Sequence, residues 1–259
     1  FDGEYQLAFT AIFNNGQEPK MTRNIIVDNL APRASLTAET DVLSPDGDGN
    51  KDSITFVQTA TSEKLWNASI IDERENSVKT WSFGGIPPEK INWDGIDDKG
   101  NLSTDGFYYY VLSATDSAGN TGTYKTENGF ELDTQKTEII LKTNDVAFSP
   151  NGDGVKDVLE FTPIIKNTSG IDRYSLSVLD STGNVVRMWY DTKNLPASFK
   201  WNGLSDEGER CSDGNYTATL QTISKNGSEA FATTQPFTLD TVYPKIDSLT
   251  LPYLAFSPN

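Results

Sequence analysis

Apolar side chains return at every second residue in several short stretches of the chain. In "FYYYVLSATD", Tyr108, Tyr110, Leu112 and Ala114 fall on one face, and Tyr5, Leu7, Phe9 and Ala11 repeat the pattern near the start. Alternation at period two marks a strand with one buried face. "SLSVLD" and "VVRMWY", separated by "STGN", read as strand, turn and strand, and "ATDSAGNTGTYK" reads the same way. No stretch holds a 3.6-residue period over helical length. Roughly seven short strands per hundred residues predict an all-β chain of β-sandwich type.

The strands belong to a repeat. Ser44-Pro45 returns at Ser149-Pro150 and Ser257-Pro258, and Asp2-Gly3 returns at Asp105-Gly106 and Asp213-Gly214. Trp81 matches Trp189 and Trp93 matches Trp201, while "VDNLAP", "LDTQKT" and "LDTVYP" close successive units. Ordered anchors at a nearly constant period define tandem modules. One repeat spans 33–133 and the next 134–241. Residues 1–32 read as the back end of a preceding repeat, and 242–259 as the start of a following one. Pro32 and Pro244 restrict two short junctions. The half-units expose apolar strand faces, so the missing strands are expected in adjoining sequence, with strand addition from a neighbouring molecule as the alternative.

"WDGIDDKGNLSTDGFYYYVLSATDSAGN" (93–120) resembles the immunoglobulin-like domain of the flagellar hook-capping protein, and "WNGLSDEGERCSDGNYTATL" (201–220) repeats it with Asn202 in place of Asp. The Ser-Pro-Asn-Gly-Asp-Gly opening is similar to the start of related domains in bacterial surface proteins, including sorting modules. The resemblance implies tandem immunoglobulin-like β-sandwich domains used as spacers or display modules outside the cytoplasm. The Asp-Gly-x-Tyr anchor fits a tyrosine corner, in which a buried ring sends its hydroxyl back to the backbone.

The loops "VLSPDGDGNKD" and "AFSPNGDGVKD" carry the candidate chemistry. Oxygen-bearing side chains at alternate positions, with Gly allowing a tight turn, can wrap a hard cation such as calcium. The first loop offers Asp46, Asp48, Asn50 and Asp52, the second Asn151, Asp153 and Asp157, with Val155 limited to its carbonyl. Asp133 and Asp240, near the junctions, are candidates for further ligands. Neither loop has the Glu of an EF-hand. The competing reading is an Asx-turn, in which the same oxygens accept backbone N–H groups.

Composition narrows the function. Acids outnumber bases 37 to 21, for a net charge of −16, which disfavours nucleic acid and anionic lipid as direct partners. No apolar run reaches the ~20 residues of a membrane-spanning helix. Histidine is absent and Cys211 is the only cysteine, so histidine-dependent catalysis and intrachain disulfides are excluded. Asp97-Asp98 reads as an acidic hairpin turn, and Trp66, Trp81, Trp93, Trp189 and Trp201 as packing residues. Asn67 and Asn167 head Asn-x-Ser/Thr sequons, which mean little if the source is bacterial. The expectation is a non-enzymatic spacer segment, stiffened by calcium, whose partners are adjoining repeats and a surface protein or glycan. A glycan- or protein-binding module, or an accessory domain of a secreted hydrolase, are the alternatives.

Overall fold

The computed structural model describes residues 1–168, 170–192 and 194–250. The third Ser-Pro anchor, at 257–258, lies outside them. All regular elements among the described residues are strands, and no helix is long and apolar enough to cross a membrane. The chain divides into two compact units: Phe1–Gln135 with Lys225–Ser228, and Lys136–Ser224 with the described residues from Glu229 onward.

The first unit opens with an antiparallel ribbon of β1 (Gly3–Thr10) and β2 (Lys20–Val27). A sandwich follows: β3 (Ala34–Ala38), β4 (Val42–Leu43), β5 (Ile54–Ala60), β6 (Glu63–Asp72), β7 (Ser77–Gly85), β8 (Lys90–Trp93), β9 (Gly106–Thr115), β10 (Thr121–Lys125) and β11 (Phe130–Leu132). One sheet runs β3-β5-β8; the other runs β4-β11-β9-β6-β7, with β10 also on β9. The second unit repeats this with β12 (Glu138–Thr143), β13 (Ala147–Phe148), β14 (Leu159–Lys166), β15 (Ile171–Leu179), β16 (Val185–Asp191), β17 (Phe199–Trp201), β18 (Gly214–Ser224), β19 (Glu229–Thr233) and β20 (Phe237–Leu239). Its sheets are β12-β14-β17 and β13-β20-β18-β15-β16, with β19 on β18. The sequence pattern predicts about seven strands per module, whereas nine form. The opening strand splits because β3 pairs with one sheet and β4 with the other, and β10 and β11 both pair with β9.

The period-two faces point where the sequence places them. Tyr108, Tyr110, Leu112 and Ala114 are buried against Phe56, Trp66, Trp93 and Phe130. In the second module Tyr216, Ala218 and Leu220 meet Phe161, Trp201 and Phe237. Trp93 meets Tyr108 edge-on at 5.4 Å, and Trp201 meets Tyr216 at 5.2 Å. Such edge-to-face pairs add to the burial of the rings. The tyrosine corners form: Tyr108 donates to Thr104 O at 2.6 Å and Tyr216 to Ser212 O at 2.6 Å.

Two anchors that recur far apart in sequence are hydrogen-bonded to each other. Asp105 Oδ1 accepts from Thr134 N and Oγ1, Asp213 Oδ1 from Thr241 N and Oγ1, and Asp2 Oδ1 from Asn29 N and Nδ2. Each Asp-Gly start of a long strand thus ties down the chain leaving the module. The junction after β2 is held further. Asn120 Nδ2 donates to Asp28 O and Tyr124 OH to Pro32 O, each at 2.9 Å. A Cβ on Gly122 would lie 2.1 Å from Pro32 O, so only glycine lets the strand and the junction approach this closely.

The ribbon pairs in the same register as β9 and β11 of the first module. Gly3↔Val27 and Tyr5↔Ile25 correspond to Gly106↔Leu132 and Tyr108↔Phe130, and Tyr5 already donates to Phe1 O at 2.9 Å. Its apolar face is open: Tyr5, Leu7 and Phe9 are 45%, 61% and 68% exposed, against 4%, 0% and 0% for Tyr108, Tyr110 and Leu112.

Candidate metal centre

Each Asp-Gly loop begins where the short second strand of its module ends. β4 pairs in parallel with β11, and Asp133 N donates to Leu43 O at 3.0 Å; in the second module β13 pairs with β20, and Asp240 N donates to Phe148 O at 3.1 Å. The proline of each loop packs under the Trp-x-Gly segment. A Cβ on Gly95 would lie 2.9 Å from Pro45 Cγ, and one on Gly203 the same distance from Pro150 Cγ. Both glycines have positive φ, 80° and 77°. The Ser-Pro and Trp-Asp/Asn-Gly motifs are therefore two halves of one contact, which sequence spacing does not reveal.

The loops share a hydrogen-bond plan. Ser44 N donates to Lys51 O at 2.8 Å, closing the first loop, and Ser149 N donates to Lys156 O at 2.9 Å, closing the second. Inside the first, Asp52 accepts Gly47 N on Oδ1 at 2.8 Å and Gly49 N on Oδ2 at 2.9 Å. Asp46 Oδ1 accepts Asp48 N at 3.2 Å, and Asp48 Oδ1 accepts Asn50 N at 2.7 Å. In the second, Asp157 accepts Gly152 N at 2.7 Å and Gly154 N at 2.8 Å, Asn151 Oδ1 accepts Asp153 N, and Asp153 Oδ1 accepts Val155 N. The Asx-turn reading of both loops is thus drawn in full. Asn50 enters it through its backbone N–H.

The loops differ in charge. Asp46, Asp48 and Asp52 bring one oxygen each to within 4.8 Å of one another, a concentration of negative charge that a divalent cation relieves. In the second loop Asn151 stands where the first has Asp46, and its amide donates to Asp153 Oδ2 at 3.1 Å. That internal donor does part of a cation's work. Asp133 and Asp240 lie beside their loops but cap the departing chain instead, accepting Gln135 N and Val242 N at 2.9 Å each. The donor set of the first loop suits a hard cation, though it falls short of the six to eight oxygens calcium takes. Water or further protein oxygens must complete it.

The remaining candidates resolve into structure. Asp97 Oδ1 accepts Lys99 N and Asn101 N at 2.8 Å each, and the Asn101 bond above all holds its carboxyl below the usual range. Asp98 is lowered chiefly by Thr80, whose hydroxyl donates to it at 2.7 Å. Trp66, Trp93 and Trp201 are buried, and Trp81 and Trp189 pack on the cores. Burial, and secondarily the Glu207 carboxylate, pushes the Cys211 thiol up, which disfavours a thiolate. Sequence reasoning overlooked Tyr190 and Phe231, which stand 77% and 60% exposed on the second module. Asking where the repeat fails would have found them, because the register-equivalent positions of the first module are Ser82 and Thr123.

No curated protein sequence matches the chain. Among solved structures, the chain is similar to the tetra-tandem repeat in the extending region of a large adhesion protein (19% identity, 93% of this chain and 57% of that one, TM-score 0.43). It is also similar to the fibronectin(III)-like modules of Clostridium thermocellum CbhA (12%, 83% and 100%, TM-score 0.40) and to a Ca2+-stabilized ice-binding adhesin of an Antarctic bacterium (13%, 91% and 56%, TM-score 0.38). The chain thus spans little more than half of the two adhesin chains. Within the second module, residues 158–226 match the family model of the FlgD Ig-like domain.

Proposed function

We infer that the chain is a non-enzymatic spacer segment of an extracytoplasmic repeat protein, at the cell surface, secreted or periplasmic. The observation that carries this reading is the use of the repeated residues. Among the described residues, the repeated prolines, glycines, tryptophans, tyrosines and Asp-Gly anchors close a sandwich or fasten the chain leaving it. None is left aimed at a substrate. Residues 1–32 and 242–259 then belong to neighbouring repeats, and the open ribbon face is the seat of a front half carrying its own Trp-Asp/Asn-Gly strand. A spacer depends on module number more than on module identity. Replacing repeat 33–133 in the source protein by a second copy of 134–241 is expected to preserve its function, and loss of function on that exchange contradicts the reading.

Calcium enters this account as a stiffener of the first loop, held by Asp46, Asp48 and Asp52 with Asn50 beside them. The second loop, with Asn151, Asp153 and Asp157, binds more weakly because Asn151 brings a neutral oxygen where the first loop has a carboxylate, and its amide already donates to Asp153. A cation bound only by the native state raises the melting temperature. Calcium should therefore stabilise the wild type more than the Asp46→Ala, Asp48→Ala double variant, which keeps only the weaker second loop. An equal calcium response in both proteins eliminates the loop as the site.

A second reading, a module that binds a surface glycan or protein, is favoured by Tyr190 and Phe231, the exposed aromatic rings that the repeat does not explain.

A further inference from the structure

The chain leaves each folded segment through the same turn. Asp28, Asp133 and Asp240 follow β2, β11 and β20, and each side chain accepts the N–H two residues on, from Leu30, Gln135 and Val242, at 2.9 Å. A second carboxylate holds the residue between: Asp2 takes Asn29 N, Asp105 takes Thr134 N and Asp213 takes Thr241 N. These side chains satisfy the N–H groups of the turn. Its carbonyl oxygens need donors from elsewhere.

Two of the three turns receive such a donor, and both times it is an asparagine amide from a hairpin loop. Asn120, between β9 and β10, donates Nδ2 to Asp28 O at 2.9 Å. Asn226, between β18 and β19, donates Nδ2 to Asp133 O at 3.3 Å and to Gln135 O at 2.8 Å. Its loop, Lys225–Ser228, packs within the first compact unit. The two loops are built alike. Each turns on a glycine with a φ of 94°, Gly119 or Gly227, and the asparagine flanks it, after Gly119 and before Gly227. The exit turn therefore selects the amide rather than one position in the loop. Gly227 also comes against the first Asp-Gly loop, where a Cβ would lie 3.2 Å from Asn50 Cβ, and Lys51 Nζ donates to Lys225 O at 2.6 Å.

The third turn has the same frame and no such cover. Asp133 and Ser44 are 5% and 3% exposed, whereas their counterparts Asp240 and Ser149 are exposed and half-buried. Among the described residues nothing donates to Asp240 O or Val242 O. Val155, which stands where the first loop has Asn50, is largely exposed, and Lys156, the counterpart of Lys51, is held by Asp145 instead.

We propose that the exit turn at Asp240–Val242, with the Asn151–Asp157 loop beside it, is the docking seat for a hairpin loop of the repeat that follows in the same chain. The incoming asparagine donates its amide to Asp240 O and to the carbonyl two residues on, and its neighbouring glycine sits against Val155. The proposal rests on the spacer reading and adds an amide latch to the covalent link between repeats.

The test inserts a second copy of residues 134–240 between Asp240 and Thr241 of the 259-residue protein and follows side-chain amide exchange by NMR. In the 259-residue protein the buried Asn226 amide should exchange roughly tenfold or more slowly than that of exposed Asn202. In the longer chain the copied Asn226 should be protected to the same degree, and resonances of 154–156, far in sequence from the insertion, should shift. Asn226→Asp in the copy alone keeps the acceptor of Ser228 N but has no amide donors, and should return 154–156 to their original positions. A folded copy whose Asn226 exchanges like Asn202, or unmoved resonances at 154–156, overturns the proposal and leaves the spacer reading to its own module-exchange test. Shifts at 154–156 that grow with the concentration of the 259-residue protein overturn the choice of occupant in favour of a second copy. A further check needs no insertion: Asn226→Asp in the 259-residue protein should lower the melting temperature, and an unchanged value overturns the latch.

Discussion

The carboxylate of Asp52 separates the structural role of the first loop from its proposed metal role. It receives two backbone N–H groups, Gly47 N at 2.8 Å and Gly49 N at 2.9 Å, and both glycines sit at positive φ. Hydrogen bonds to a charged acceptor contribute about 1.5–3 kcal/mol each in favourable settings. Asp52 is only half-buried, so water can replace part of both bonds, and about 1–3 kcal/mol for the pair is the expected loss in Asp52→Ala. At about 4–8 °C per kcal/mol for a domain of this size, a loss of about 2 kcal/mol lowers the melting temperature by on the order of 10 °C. Asp157 makes the same two bonds in the second loop, so Asp157→Ala should cost its module a similar amount. Calorimetry in chelator is the assay, because the Asx-turn contribution needs no metal. Asp46→Ala removes the acceptor of Asp48 N and should abolish the calcium response of the first module. An Asp52→Ala protein as stable as wild type in chelator would refute the assignment of the loop's architecture to this carboxylate.

Further outcomes follow from the same geometry. Gly203→Ala places a methyl 2.9 Å from Pro150 Cγ at a φ of 77° and should destabilise the second module by more than about 1 kcal/mol; an unchanged melting temperature would show that the proline contact is loose. Tyr108→Phe removes the corner bond to Thr104 O and should cost about 0.5–1.5 kcal/mol with the core intact; unchanged stability would contradict a structural corner. Asp180, held down to about 2 first by the Thr182 hydroxyl and then by Asn184 N, should titrate well below the ~3.9 of an unfolded aspartate. Its contribution is complete above that unfolded value and is lost as pH falls through about 2. A carboxyl NMR midpoint near 3.9 would contradict the turn geometry.

Most of the fold could be read from local pattern. The alternating faces of β9 and β18 point inward as their period requires, and the tyrosine corners follow from Asp-Gly-x-Tyr. The contacts between anchors were not legible. Pro45 meets Gly95, and Asp105 holds Thr134, but a repeat shows only that such residues recur together, not that they touch. The division of the opening strand between two sheets is likewise a pairing choice made by distant partners. In the two Asp-Gly loops the oxygens are visible in the sequence, while the distinction between the loops depends on where the Asn151 amide points. The Tyr190 position carries no repeat signal, because this face departs from the repeat.

Single-molecule stretching of the 259-residue chain tests the spacer account most directly. Repeats 33–133 and 134–241 each bury their own core, so each should unfold as a separate event. At ~3.3–3.6 Å of extended chain per residue, each event should release on the order of 300 Å, and the two should be nearly equal. In calcium the event belonging to the first repeat should move to higher force and the other should change less. One merged event, or extension without resolved events, would contradict a chain of independently folded, load-bearing modules.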